Sequence, residues 1–362
     1  MSRLLPHSIL TACILASGWL QAGTLVVSLD GTGQYGDIQS AIDAAADGDT
    51  VLVKPGEYVV LESVTFRGKE IAVRSESGPE VTTIRMADRL SSYSTVVEFT
   101  SQEGESSVLE GFTIAGGKFW GTQQGGVTCR GSSPTLTNCT ISGNAGGGVY
   151  CYKSSPTLTK CTISGNSGGG VYCSEGSSPI LTSCIVWGNV GSSLVVDQSS
   201  EPIVTFSCVE MEDVWSGEGN INSDPLFCGF DWAGDVYVDA GSPAGGDGSQ
   251  GRPFQDLAQA LHYSLSLQSG SPCLGTGKDG SNMGADEGTC DAKGPGGGVI
   301  HAASGRYSLE GLTLAHGASI VGAGAEETVL EGSVGGLRTG ARLSRVTVTG
   351  GIGPWETHNT IG

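Results

Sequence analysis

Apolar and polar residues alternate in short runs along most of this chain, and in the middle the alternation becomes periodic. GGVTC at 125–129 returns as GGVYC at 147–151 and again at 169–173, a spacing of 22 residues. Between the copies sit PTLTNCTISGN, PTLTKCTISGN and PILTSCIVWGN, beginning at Pro134, Pro156 and Pro179. A fixed period of this size means that one short unit is stacked on copies of itself, which predicts a solenoid. Val, Ile, Leu, Thr, Tyr and Cys broken by Gly, Ser, Asn and Pro are strand and turn residues, and they leave no room for a helix in the period.

Aligning the copies sorts the positions. Leu136, Leu158 and Leu181 form one column, Cys139, Cys161 and Cys184 a second, and Ile141, Ile163 and Val186 a third. Side chains alternate faces along a strand, so Val149 and Cys151 are expected inward and Tyr150 toward solvent. Leu136 and Cys139 can both face inward only if the chain bends between them, which assigns the bend to Asn138, Lys160 and Ser183, in left-handed backbone. Asn144, Asn166 and Asn189 form a further column, whose amides are expected to hydrogen-bond along the axis.

Degenerate copies extend the solenoid: LESVTF at 61–66, LEGFTI at 109–114, LEGLTL at 309–314 and LSRVTV at 343–348. Upstream, residues 30–58 read as a strand, a Gly-rich loop, a short helix with Ile38, Ala41, Ile42 and Ala45 on one face, and a first coil. A helix laid there would cover an otherwise open sheet edge. The segment DIQSAIDAAADGDTVLVKPGEY at 37–58 resembles the N-terminal cap of right-handed parallel β-helix proteins of the pectin-lyase-like superfamily. The resemblance covers residues 24–230 and implies an all-β, right-handed parallel β-helix. It leaves the activity open, since that superfamily includes lyases, hydrolases, epimerases, adhesins and members with no known catalysis.

Residues 235–261 repeat the order strand, Gly-rich loop, helix, and residues 298–332 parallel 49–84, with Gly305 and Tyr307 matching Gly56 and Tyr58. The stretch 269–288 resembles the closing segment that follows DPLF (224–227) in related sequences. The expected organisation is therefore a signal peptide at 1–22, a capped β-helix at 23–230, a closing segment with an inserted second cap at 231–296, and an incomplete second β-helix at 297–362. A solenoid end normally needs a cap, and 351–362 carries none, so a truncated product or fragment is expected.

The first 22 residues have Arg3, an apolar stretch from Ile9 to Leu20, and LQA ending at Ala22, which reads as a cleaved secretory signal. Lipidation at Cys13 is the alternative. No later segment is long and apolar enough to span a bilayer. A net charge of −19, from 37 acidic and 18 basic residues, argues against nucleic-acid and anionic-membrane partners. Secretion to the medium or cell surface as a monomer is the expectation.

Of the 11 cysteines, Cys129, Cys151 and Cys173, and Cys139, Cys161, Cys184 and Cys208, are expected to be buried thiols in inward columns, because parallel stacked Cβ vectors do not converge. Cys228, Cys273 and Cys290 are the better disulfide candidates. There is no CxxC pair to suggest zinc.

The resemblance implies two catalytic schemes: lyases holding Ca²⁺ on acidic residues beside a basic residue, and hydrolases with clustered Asp. Neither is legible, since residues 125–190 contain no Asp. His262, His301, His316 and His358 read as solvated or structural. The candidate binding residues lie on the outward face of the GGVxC strand: Tyr150 and Tyr172 below Thr128, then Arg130, Tyr152, Ser174 and Asp197, with Lys153 and Glu175 beside them. Trp120, in the longer loop 118–124, is placed to overhang them. Aromatic faces with Arg and carboxylates can cradle a sugar chain, against the plainer reading of a Tyr ladder that stabilises the sheet. Acidic turns at Asp30, Asp37, Asp239 and Asp247, and the loop acids Glu210, Glu212 and Asp213, could hold Ca²⁺. Turn formation accounts for them more simply, and no cofactor is required. The expected function is noncatalytic binding of a polysaccharide or cell-surface glycan. The alternatives are a Ca²⁺-dependent lyase acting on acidic polysaccharide, and a structural or adhesin segment.

Overall fold

A computed structural model describes residues 22–87, 94–118, 125–230, 235–243, 246–255, 257–260, 263–285, 289–290, 299–308, 319–331 and 342–349. Of the signal peptide expected at 1–22, residues 1–21 lie outside them, as does the tail 350–362. Short strands stack in register into three parallel sheets that wrap one apolar interior. The first sheet has eight strands, from Thr24–Val27 to Ile203–Thr205; the second has six, from Val64–Thr65 to Leu194–Val196; the third has seven, from Gly56–Val60 to Cys208–Val209.

The columns read from the sequence become ladders. Leu136 pairs with Leu109 and Leu158, which pairs with Leu181 and so on to Val204. All are at most 1% exposed, as are Cys139, Cys161, Cys184, Ile141 and Ile163. Burying one such Leu or Ile contributes about 1.5 to 3 kcal/mol, so each coil is held by a handful of side chains and its neighbours. Between the first and third sheets the chain turns at Asn138, Lys160 and Ser183, with φ of 51°, 51° and 55°. Phe206 repeats the bend at 50°.

The Asn column forms a hydrogen-bonded ladder. Asn144 Nδ2 donates to Asn166 Oδ1 at 2.8 Å, and Asn166 Nδ2 to Asn189 Oδ1 at 2.9 Å. The same amides bond to backbone: Asn144 and Asn166 N–H groups donate to the next Asn Oδ1, and Nδ2 atoms donate to the carbonyls of Ile114, Ile141 and Ile163. The second Gly of each GGVxC is required by this ladder. A Cβ on Gly148 would lie 2.5 Å from Ile163 Cγ2 and 3.1 Å from Asn166 Nδ2.

At the start, the helix Ile38–Ala44 is capped by Asp37, whose carboxylate accepts from Ser40 N–H, and it buries Ile38, Ala41 and Ile42 on the first coils. Asp37 thus does the capping work of an N-cap acid. Asp30 and Asp247 likewise close turns, accepting from Thr32 and Ser249 N–H groups.

Two cysteine expectations are corrected. Cys208 was placed in the inward column with Cys184, but register pairs Ile185 with Cys208 and Val186 with Val209. Ser207 fills the inward place, its Oγ accepting from Cys184 N–H at 3.0 Å. A one-residue offset sends a strand side chain to the opposite face, so Cys208 instead packs with Ile185, Cys273 and Met283. Cys273, expected in a disulfide, is a buried free thiol. Cys228 is disulfide-bonded, and the side chain of Cys290 lies outside the described residues.

Residues 273–285 lie on the outside of the third sheet. Gly284 N–H donates to Ser183 O at 2.7 Å and Ala285 N–H to Thr162 Oγ1 at 2.9 Å. A second apolar cluster surrounds Val236, Val238, Ile300, Tyr307, Ile320 and Leu330. Its strand Val236–Val238 pairs in parallel with Val299–Ala302, which pairs with Ser319–Gly322. A short helix, Leu257–Ala260, buries Leu257 and Ala260 in this cluster. Tyr307 OH donates to Ala303 O and Val238 O at 3.1 and 3.2 Å. Tyr58 OH makes the same reach to Lys54 O and Val27 O, so the two units share one architectural device.

Candidate functional site

The candidate residues sit on the outside of the second sheet. Strands Gly125–Arg130, Gly147–Tyr152, Val171–Ser174 and Leu194–Val196 stack so that Thr128, Tyr150, Tyr172 and Val195 align as one outward column. Arg130 pairs with Tyr152, which pairs with Ser174 in the next. Asp197 follows Val196, its N–H donating to Cys173 O at 3.1 Å. The alternation expected from GGVxC therefore holds.

Exposure does not follow orientation, and here the reading of Tyr150 is corrected. Tyr150 is only 6% exposed, and Thr128 only 2%. The Tyr150 and Tyr172 rings lie 5.5 Å apart at 32°, and Ser174 Oγ comes within 3.5 Å of Tyr150 OH. Thr128 Oγ1 is 3.1 Å from Thr95 Oγ1. Neighbours on both sides thus cover Tyr150, and its contribution is packing of the sheet surface.

The accessible part of the face is centred on Tyr152. Arg130 places its guanidinium carbon 5.3 Å from the Tyr152 ring centroid, and Lys153 places Nζ 5.3 Å from it. Such cation–aromatic contacts hold the ring and both cations in a fixed arrangement. Lys153 and Glu175 occupy equivalent turns with φ of 50° and 55°. Asp197 is engaged by its own turn: its carboxylate accepts from Glu175 N–H at 2.8 Å and from Ser199 N–H and Oγ–H, each at 2.9 Å. Those donors hold its pKa down at about 2, so it presents a fixed negative charge below Tyr152. The face can stack a ring and hydrogen-bond hydroxyls; Trp120 lies outside the described residues. Among the described residues, no three His, Cys, Asp or Glu side chains gather as metal ligands.

Residues 95–213 match the family model for the right-handed β-helix region. The fold is a right-handed parallel β-helix. Solved β-helix-like structures resemble the chain only distantly. A pectin methylesterase from carrot aligns at 12% identity and a TM-score of 0.35, over 93% of this chain and 80% of that one. A mutant of a PL6 family alginate lyase aligns at 10% identity and a TM-score of 0.19, over 93% of this chain and 72% of that one. No curated protein matches the chain. At such similarity neither enzyme's activity transfers to this β-helix.

One arrangement escaped the sequence reading. His301, read as solvated or structural, stacks on Tyr237 with centroids 4.9 Å apart at 17° and bonds Asp235 Oδ2 through Nε2 at 2.9 Å. The signal available was the alignment of 298–332 with 49–84, which places Tyr237 and His301 on successive strands of the second unit.

Proposed function

We propose that this β-helix is an exported protein that binds extracellular or cell-surface polysaccharide without catalysis, using the Tyr152 face. The observation that carries the reading is the Tyr152 ring, half-buried between Arg130 and Lys153, in a column that runs on through Ser174 to the ionised Asp197. An aromatic ring offers a flat apolar surface for the C–H face of a sugar, and flanking cations and a carboxylate supply hydroxyl partners. Stacked coils set Arg130, Tyr152, Ser174 and Asp197 in one column along an extended face, which suits a polymer better than a small molecule.

The test is retention of the mature chain, from Gly23, on a panel of neutral and acidic polysaccharides with and without Ca²⁺, with unsaturated products and reducing ends followed in parallel. Retention that weakens in Tyr152→Ala supports the proposal. Calcium-dependent cleavage abolished by Arg130→Ala would replace it with a lyase, and neither retention nor cleavage would leave a structural or adhesin segment.

A further inference from the structure

The second unit carries a cleft of about 340 Å³ that shares no residue with the Tyr152 face. Its wall is the outward column of one sheet, where Tyr237 aligns with His301 and His301 with Val321. Gln250 and Pro253 enter from the loop before the short helix, and Arg345 from the last described turn. The floor depends on Gly322, where a Cβ would lie 2.3 Å from Arg345 O. Arg345, with φ of 55°, lays its guanidinium on Ala323 O.

The lining is preorganised. Asp235 accepts from Val299 N–H and bonds His301 Nε2, each at 2.9 Å, which fixes the His301 ring across two strands. His301 in turn stacks on Tyr237, giving an aromatic wall that does not need to order itself on binding. Asp239 accepts from Gly241 N–H through Oδ1 at 2.9 Å, leaving Oδ2 as an acceptor. The cleft thus presents an apolar wall, donors on Arg345 and Gln250, and acceptors on Asp239 and the Ala323 carbonyl.

Charge and size narrow the ligand. The lining holds one carboxylate, Asp239, and one guanidinium, Arg345, so neither an anion nor a cation gains much. Mixed donors and acceptors around an apolar wall suit a ring that carries several hydroxyls and no charge. The volume is at the small end of ligand clefts, roughly 300 to 1,000 Å³, which fits a single ring. We infer that this cleft binds one neutral sugar ring, packed against the Tyr237–His301 pair and hydrogen-bonded to Gln250, Asp239 and Arg345. This site is separate from the polymer face and stands or falls independently of it.

The experiment is saturation-transfer NMR and calorimetric titration of the full chain with methyl glycosides of neutral hexoses and pentoses, alongside the matching uronic acids. The expected result is saturable binding of at least one neutral glycoside, weakened about tenfold in Gln250→Ala and in Tyr237→Leu. Gln250 is an exposed loop residue, so its variant keeps the fold intact. No saturable binding by any neutral glycoside, equal binding of uronic acids, or unchanged affinity in both cleft variants would overturn the inference.

Discussion

Replacing Asn166 by Ala tests whether the amide ladder holds the coils together. Asn166 is fully buried. Its Oδ1 accepts from Asn144 N–H at 3.2 Å and from Asn144 Nδ2 at 2.8 Å, and its Nδ2 donates to Ile141 O and Asn189 Oδ1, each at 2.9 Å. Its Nδ2 also donates to Ser164 O at 3.3 Å, so truncation removes five contacts at once. Asn144 Nδ2 keeps Ile114 O and Asn189 Oδ1 keeps Asn166 N–H, so the group left without its acceptor is the buried Asn144 N–H. An orphaned buried donor costs about 1 to 3 kcal/mol and each further lost hydrogen bond about 1 kcal/mol. The expected loss, one orphaned donor plus four further bonds, is about 5 to 7 kcal/mol. Cys161→Ala, which only trims a small apolar filler from the same coil, is expected to cost about half as much or less. Equilibrium urea denaturation gives the total, and hydrogen exchange on peptides spanning 139–189 locates it. Asn166→Asp at neutral pH should be worse than Ala, because it sets a buried carboxylate against the Asn189 Oδ1 acceptor. A loss below about 1 kcal/mol in Asn166→Ala, or one no larger than in Cys161→Ala, would refute the ladder as a main support of the coils.

Tyr58→Phe and Tyr307→Phe each remove one hydroxyl reaching buried carbonyls, and each should cost about 1 kcal/mol; hydrogen exchange should show the effect confined to the unit that contains the substitution. The folded Asp197 carboxylate, held at about 2 by Glu175 N–H and the Ser200 and Ser199 hydroxyls, lies below its unfolded value of about 3.9. Its stabilisation is therefore present above that unfolded value and is lost as pH falls toward 2, so urea midpoints of Asp197→Asn should vary less with pH in this window than those of the parent chain. The eight buried free cysteines should resist alkylation in the native state and react only in denaturant, because thiol–thiol contacts with Cys173 and Cys273 followed by burial raise Cys151 and Cys208, the Cys184 contact and burial raise Cys161, and burial raises Cys129 and Cys139; rapid native labelling of Cys139 or Cys151 by iodoacetamide would contradict their placement. Reduction of the Cys228 disulfide should loosen the antiparallel pair Phe227–Phe230 and Tyr263–Gln268 and leave exchange in the stacked coils unchanged.

The repeat made the fold legible because in a solenoid each coil meets only copies of itself, so position within the period dictates environment. The inward Leu, Cys and Ile columns, the Asn ladder and the left-handed bends at Asn138, Lys160 and Ser183 all follow from that. The reading failed where the period slipped. VTFSCV at 204–209 keeps a Cys but moves it one place, and that single place exchanges interior for exterior, putting Ser207 inside and Cys208 beneath the closing segment. It failed again at Tyr150, where alternation gives direction but not coverage.

Thus the chain's own periodicity determined the stacked-coil architecture and the identity of the outward columns, because these are local and recur every coil, while the cap over the first coil was legible in its own amphipathic pattern, Ile38, Ala41 and Ile42 on one face. Which outward residues meet solvent was decided only by tertiary structure, since exposure depends on neighbours remote in sequence: Thr95 over Thr128, and Gly284 and Ala285 over Ile185 and Thr162. The Tyr237, His301 and Arg345 cleft belongs to the same class. Its parts are more than a hundred residues apart from first to last, and only the parallel register of the second unit brings them to one wall.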